Sequence, residues 1–462
     1  MTEHFPLETS GAQHDRLAAA VTRFVTGYLA GLRTEPTTTD APAGAVDRLL
    51  AGPPDQPTDL DALLATVAEA GSYGLNTASP GYLAYFPAGG LPSAAWGELI
   101  ALILNRYPTF GALAPGLVAL EESVLRWLCR EFGLPSGAGG LVLSGGSMAT
   151  LLAVVAAREQ RLGADPSRGV IYVGEYAHHC VDRAARIAGL AGRLRVVPST
   201  PDLRMDPAAA ARQIAADRAA GLRPFLLVGT AGATSTGLVD PLPALAEIAA
   251  REDLWFHVDG AYGAPFQLTE RGRARLSGVE RADSVALDPH KSMFLPYGTG
   301  VLLVRDPATL RAAHAAGGDY LQDIGGTDGL PDYAALGPEL TREHRGLRLW
   351  LPLHLHGVGA FRRALDEKLD LARWMHDELA GSTDLELPWT PDLTVLGLRP
   401  RGTAGAAAGR SLLDRINGSG RVFLSSAQVA GRYTLRLCLQ SFRSGPEQAR
   451  DAVAIIRTAA RA

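Results

Sequence analysis

The feature that most constrains this chain is a change of rhythm at Gly140. From there to Val304, short apolar runs rich in β-branched residues alternate with alanine-rich stretches of helical period. The predicted strands are 140–143, 170–173, 194–197, 225–228, 255–258, 284–287 and 301–304. Helical patterns such as 148–161 and 241–251 fill most of the gaps. This alternation predicts a mostly parallel, seven-stranded sheet with helices on both faces, an α/β architecture. Sheets of this kind place ligands at the carboxyl ends of their strands. The residues just after each apolar run are therefore where chemistry is to be sought.

Flanking segments have a different character. Residues 13–33 carry Leu17, Val21, Phe24, Val25 and Leu29 at helical spacing. A Thr-, Pro- and Ala-rich arm follows from Thr34 to Gly44, then a short helix over 60–71 and a turn-rich loop, SPGYLAYFPAGG. Residues 93–132 predict a helix pair broken near Pro108 to Pro115. Beyond the sheet, a loop-rich stretch over 315–343 leads into one long helix over 347–379 and a small α+β domain. Three units are expected: an N-terminal helical arm over 1–90, a large α/β domain over 91–345, and a linking helix with a small domain over 346–462.

Composition excludes several classes of function. The net charge is −4 and no basic run stands out, so neither nucleic acid nor an anionic membrane is an expected partner. Cys129, Cys180 and Cys438 have no metal-ligand spacing and cannot form a disulfide framework, so no metal is expected. A reducing compartment suits them. The first residues lack a basic-then-apolar signal and no apolar run is long enough to span a bilayer. A cytoplasmic location is the resulting expectation.

Three strand ends carry groups suited to chemistry. LSGGSMAT, from Leu143 to Thr150, places glycines and serines between a strand and a helix start. Free amides there suit a phosphate, although a serine-capped turn explains the same residues. HVDGAYG puts Asp259 at the next such end, as a functional carboxylate or a helix cap. DPHKS puts Lys291 directly after the strand 284–287. Lysines are rarely buried without a task, and desolvation makes the amine nucleophilic. Taken together, an anion cradle, a carboxylate and a lysine are what pyridoxal 5′-phosphate requires: one for its phosphate, one for its pyridine nitrogen, one for its aldehyde. AHHC, from Ala177 to Cys180, adds an imidazole that could face the pyridine ring or lie at the surface.

These residues bring a resemblance into view. The chain resembles the group II pyridoxal-phosphate-dependent amino-acid decarboxylases, of the aromatic-L-amino-acid decarboxylase type, from about Arg23 to the C-terminus. It is carried by AYFP (84–87), GGSMATL (145–151), AHHCVDRA (177–184), HVDGAYG (257–263), DSVALDPHK (283–291) and HRGLRLW (344–350). The resemblance implies a fold-type I enzyme that decarboxylates an L-amino acid to amine and carbon dioxide. It implies that Lys291 forms the Schiff base, Asp259 pairs with the pyridinium nitrogen and His178 stacks on the ring. Gly146, Ser147 and His290 would bind the phosphate, Thr234 would lie near the Lys-linked side, and Ala261 against the other ring face.

Tyr333, counted back from HRGLRLW, falls where the family's aromatic decarboxylases carry a mobile-loop tyrosine that protonates the carbanion; the loop is expected over about 318–343. Phenylalanine there goes with oxidative deamination, so tyrosine implies simple decarboxylation. An aldehyde synthase or aminotransferase on the same fold is the alternative. The family implies a homodimer with its site at the interface. An aromatic amino acid is the first choice of substrate, with Tyr82, Tyr85, Phe86 and Phe110 as its apolar surfaces; branched aliphatic, diamino and acidic amino acids are the other choices. Two departures bear on this. Asp288 stands where the aromatic enzymes usually have Asn near the phosphate, and Ser79 and Ala88 replace His and Thr in the substrate-side loop.

Overall fold

The structure, a computed structural model, describes residues 7–315, 329–402 and 405–461. Seven strands form the central sheet: β1 (Gly139–Leu143), β2 (Gly169–Gly174), β3 (Leu194–Val197), β4 (Arg223–Thr230), β5 (Trp255–Asp259), β6 (Ser284–Leu287) and β7 (Gly300–Val304). Their spatial order is β1-β7-β6-β5-β4-β2-β3. The pairs from β6 through β5, β4 and β2 to β3 are parallel, while β7 runs antiparallel to both β6 and β1. Every residue of β1, β2, β5, β6 and β7 is buried. Side chains on a strand alternate between faces, so uninterrupted burial means that both faces are covered. The helix Gly146–Leu162 lies across β1, β4, β5, β6 and β7.

The N-terminal helix Gly11–Gly31 starts at a capping box, in which Ser10 accepts from the Gln13 amide and the Gln13 side chain accepts from Ser10. The arm closes a two-residue antiparallel ladder, Thr38–Thr39 against Gly74–Leu75. Helices Pro92–Leu104 and Pro115–Glu131 each begin with proline at the first turn, where a missing N–H costs nothing.

The single long helix expected over 347–379 is two helices, Leu347–His356 and Val358–Ala380. The break is Gly357, whose φ of 73° lies in the left-handed region that a continuous helix excludes. The apolar period runs through the break, which is why the pattern alone reads as one helix. The C-terminal sheet has four strands, β8 (Leu385–Glu386), β9 (Val395–Pro400), β10 (Ser425–Val429) and β11 (Arg432–Cys438), in antiparallel order β8-β9-β11-β10. It has its own core, built on Leu371, Met375, Leu396, Leu412, Leu437 and Ile456. No described helix is long and apolar enough to cross a membrane.

Candidate active site

The carboxyl ends of β1, β2, β4, β5 and β6 open onto one cavity of about 280 Å³. Gly146, Ser147, His178, Thr234, Asp259, Ala261, His290 and Lys291 all line it, as does Phe86 from the N-terminal loop. These residues lie up to 205 positions apart, and parallel pairing brings their strand ends to one edge.

Lys291 sits in the short helix Pro289–Ser292 that follows β6. Its Nζ lies 2.9 Å from Asp288 Oδ2 and 5.9 Å from the centroid of the Phe86 ring. Phe86 in turn stacks on Tyr262, with centroids 4.0 Å apart and planes 12° from parallel. The amine is thus held between a carboxylate and an aromatic wall.

Asp259 ends β5 and is 5% exposed. The Ala261 amide donates to its Oδ1 at 3.2 Å. The Cys180 thiol lies 4.0 Å from Oδ2 and 3.6 Å from Thr150 Oγ1. Burial pushes that thiol up to about 12, with the Asp259 charge acting in the same direction, so the sulfur keeps its proton. A buried carboxylate with only a weak thiol partner on one oxygen fits a cationic N–H in the cavity.

The Cys180 amide donates to Nδ1 of His178 at 3.2 Å. Nδ1 is therefore the lone-pair nitrogen, and the proton of the neutral ring is on Nε2. Burial lowers the pKa of this imidazole, and the neighbouring Asp259 charge opposes that shift. His290 is fixed the opposite way, its Nδ1–H donating to the Thr299 carbonyl at 2.6 Å. Burial lowers its pKa too, against the pull of Asp288.

The helix Gly146–Leu162 begins at the cavity with no side-chain cap. Its first amides have no partner within the helix, and its dipole favours an anion. A methyl group on Gly146 would lie 2.9 Å from Ala261 Cβ and 3.0 Å from Asp288 Oδ2. Glycine is what leaves the cradle open. An anion cradle, a carboxylate and a lysine amine in one cavity fit pyridoxal phosphate.

Other expected residues are elsewhere. Tyr82 is fully buried beside Ala84 and Ala88, paired with Phe423, and Tyr85 is half exposed; neither lines the cavity. Phe110 packs edge-on against Tyr107, also outside it. Tyr333 is buried in a short turn, Tyr333–Ala335, with the Arg342 guanidinium 4.4 Å from its ring centroid. That turn docks on the loop before helix Pro115–Glu131: the Gly111 amide donates to Asp332 at 2.8 Å, and the Ala334 amide to the Thr109 carbonyl at 3.2 Å. Tyr333 does not reach the cavity of its own chain. Residues 316–328, where the expected loop begins, lie outside the described residues.

The structure adds Ser144, Gly145, Met148, Cys180, Gly232, Tyr262 and Asp288 to the cavity wall. Cys180 stands in the AHHC motif, where cysteine spacing alone speaks only to disulfides and metals. Tyr262 follows Asp259 by three positions, and the turn after a strand has no period from which its direction could be read.

The fold and site define a fold-type I pyridoxal-phosphate enzyme. Residues 46–399 match the model of the pyridoxal-dependent decarboxylase conserved domain. An aromatic-L-amino-acid decarboxylase of Bacillus atrophaeus is 33% identical over 377 residues, covering 80% of this chain and 78% of that protein. The crystal structure of Oryza sativa TDC with pyridoxal phosphate and tryptamine superposes with a TM-score of 0.93 at 27% identity, covering 99% of both chains. That of Catharanthus roseus tryptophan decarboxylase with L-tryptophan gives 0.91 at 26%, covering 98% of this chain and 99% of that one. The chain belongs to the pyridoxal-dependent decarboxylase family and is a pyridoxal-phosphate-dependent amino-acid decarboxylase.

Proposed function

We propose that the substrate is an aromatic L-amino acid, converted to its amine and carbon dioxide. The observation that carries the reading is the Phe86–Tyr262 stack, a flat apolar wall 5.9 Å from the Lys291 amine. The relatives above, named for aromatic amino acids or solved with tryptophan or tryptamine, support the same choice.

Bound pyridoxal phosphate supplies an aldehyde for amines and a conjugated ring that accepts the electron pair released with carbon dioxide. The chain's own residues do the rest. Lys291 offers its amine to the aldehyde. Asp259, anchored by the Ala261 amide, holds a proton on the pyridine nitrogen. His178, held by the Cys180 amide with its proton on Nε2, and Ala261 would hold the ring between them. Thr234 borders the lysine side. Gly146 and Ser147 give amide donors to the phosphate, and Phe86 and Tyr262 exclude water beside the reacting carbon.

We place Tyr333 as the proton donor to Cα, acting in the site of a second copy of the chain. Its own cavity is out of reach, so this role calls for a homodimer and for the turn Tyr333–Ala335, buried here against the Thr109–Gly111 loop beside Phe110, to swing out toward the partner's cavity. An exposed apolar stripe supports such a partner: Trp96, Leu99, Ile100, Leu102, Ile103 and Leu104 all face outward on helix Pro92–Leu104.

Amine and carbon dioxide release from tryptophan, tyrosine, phenylalanine and 3,4-dihydroxyphenylalanine, against the other common amino acids, tests the reading. An aromatic acid is expected to give both products in equal amounts. Tyr333→Phe is expected to lower amine formation about 100-fold, in the range of lost general acid–base catalysis, while cofactor binding stays intact. Aldehyde and ammonia as the wild-type products would overturn the proposal, as would preference for a non-aromatic acid.

A further inference from the structure

The end of the cavity nearest the glycine cradle holds too many acceptors. Asp288 is 2% exposed, and its Oδ1 is buried with no hydrogen-bond partner. Its Oδ2 lies 2.9 Å from the Lys291 ammonium and 3.7 Å from His290 Nε2. With Nδ1–H committed to the Thr299 carbonyl, a neutral His290 offers only a lone pair at Nε2. The carboxylate is also close to the cradle itself: a methyl on Gly146 would meet Oδ2 at 3.0 Å, and one on Gly145 would meet Oδ1 at 4.0 Å and His290 Cε1 at 3.3 Å.

A phosphate dianion brought to these amides is a further acceptor and a further negative charge. In the free chain Lys291 balances Asp288. Loading the cofactor commits that amine to the aldehyde and brings the phosphate in. Two anions then lie side by side in a buried site, an arrangement that binds a proton. The other ionisable groups around Asp288 do not remove the conflict. Asp259 adds negative charge, the Cys180 thiol stays neutral, and burial disfavours the charged forms of His178 and His290. The orphaned Oδ1 marks where a donor is missing.

We propose that Asp288 is a cofactor-binding residue that shares one proton with the phosphate, so that loading the enzyme takes a proton from solvent. This rests on reading the Gly145–Ser147 turn as the phosphate cradle. The carboxyl O–H donates to a phosphate oxygen, or a protonated phosphate donates to Oδ1; either way one proton replaces the repulsion with a hydrogen bond. The consequence is specific to the phosphate. Pyridoxal, which has the aldehyde and ring but no phosphate, meets Lys291 and Asp259 equally well and needs no such proton.

The test is the affinity of the cofactor-stripped enzyme for pyridoxal phosphate divided by its affinity for pyridoxal, between about pH 7 and 9. The ratio cancels the proton chemistry at Lys291. In the wild type it is expected to fall about tenfold per pH unit, the slope of one bound proton. Asp288→Asn is expected to flatten it and to bind pyridoxal phosphate at least about tenfold more tightly at the alkaline end; His290→Gln is expected to keep the slope. A flat wild-type ratio, or a slope that survives Asp288→Asn and disappears in His290→Gln, would overturn the assignment. Should Asp288→Asn not fold, wild-type calorimetry in buffers of different ionisation heat decides alone. Pyridoxal phosphate should take up one proton more than pyridoxal, and equal uptake refutes the proposal. If the phosphate adds nothing to affinity at any pH, the cradle reading itself falls.

Discussion

Two buried polar regions flank the carboxyl half of β1, and they are built on different principles. In the cavity, most polar side chains have a defined task and partner: Asp259 with the Ala261 amide, His178 with the Cys180 amide, His290 with the Thr299 carbonyl. Beneath the Tyr333 turn the polar atoms outnumber their partners. Thr109 Oγ1, Glu121 Oε2, Tyr333 Oη, Arg342 Nε and Nη1, and His344 Nδ1 are all buried and unpaired. The fixed charges there are the Arg342–Glu121 pair, 2.7 Å apart, with Arg342 also donating to the Val142 carbonyl at 3.0 Å. The cavity is preorganised for a ligand, whereas the Tyr333 segment is held in place at the cost of unmade hydrogen bonds.

The comparison can be broken at several points. Lys291→Ala has the largest effect: amine formation should fall by about a thousandfold or more, because among the described residues no other amine lines the cavity to serve as nucleophile. Thermal stability of that cofactor-free variant, measured by calorimetry, should fall below that of the cofactor-free wild type, because the buried Asp288 loses the ammonium 2.9 Å away. Lys291→Ala/Asp288→Asn should recover most of that loss while staying inactive; a loss that persists in the double variant would mean that Lys291 is a fold element beyond its pairing with Asp288.

On the other side, Arg342→Met should cost about 3–5 kcal/mol by denaturant titration, since it strands the Glu121 charge in the core. The double variant Arg342→Met/Glu121→Leu should recover most of that loss. If it does not, the pair stabilises the docked segment beyond its own neutralisation.

A smaller effect sharpens the cavity side. His257, two residues before Asp259 on β5, is buried with Nδ1 against Ser284 Oγ at 2.8 Å, and burial lowers its pKa to about 4. The unfolded ring titrates near 6.5, so the unfolded state binds the proton first. The stabilisation is present above about pH 6.5 and is lost as pH falls toward 4, by about 3 kcal/mol at most from this residue. Denaturant midpoints across that window should fall in the wild type and fall less in His257→Asn.

Much of this was legible in the chain. The apolar runs located all seven strands of the sheet: the strands buried on both faces are apolar at most positions, and the partly buried edge strand β3 still carries Leu194, Val196 and Val197. Lys291, Asp259 and the Gly145–Ser147 turn stood out because each follows such a run. The C-terminal strands β8 and β10 were not legible: LE is too short for a pattern, and SSAQV is polar and sits at an edge of its sheet. The substrate-side aromatics divided in a way no pattern could show. Phe86 turns into the cavity, Tyr82 into the core and Tyr85 toward solvent, although all three lie within five residues on an irregular loop.

By itself, then, the sequence determined the parallel sheet and the chemical inventory at its strand ends, since burial and local turn chemistry act over a few residues and leave a local record. Only the tertiary structure decided which of those groups meet. It put Cys180 beside Asp259, set Asp288 between the lysine and the glycine cradle, and carried Tyr333 away from its own cavity. Apart from Asp288 and Lys291, three positions apart, those contacts join residues tens to hundreds of positions apart, and distances of that kind are fixed by packing, which no local pattern encodes.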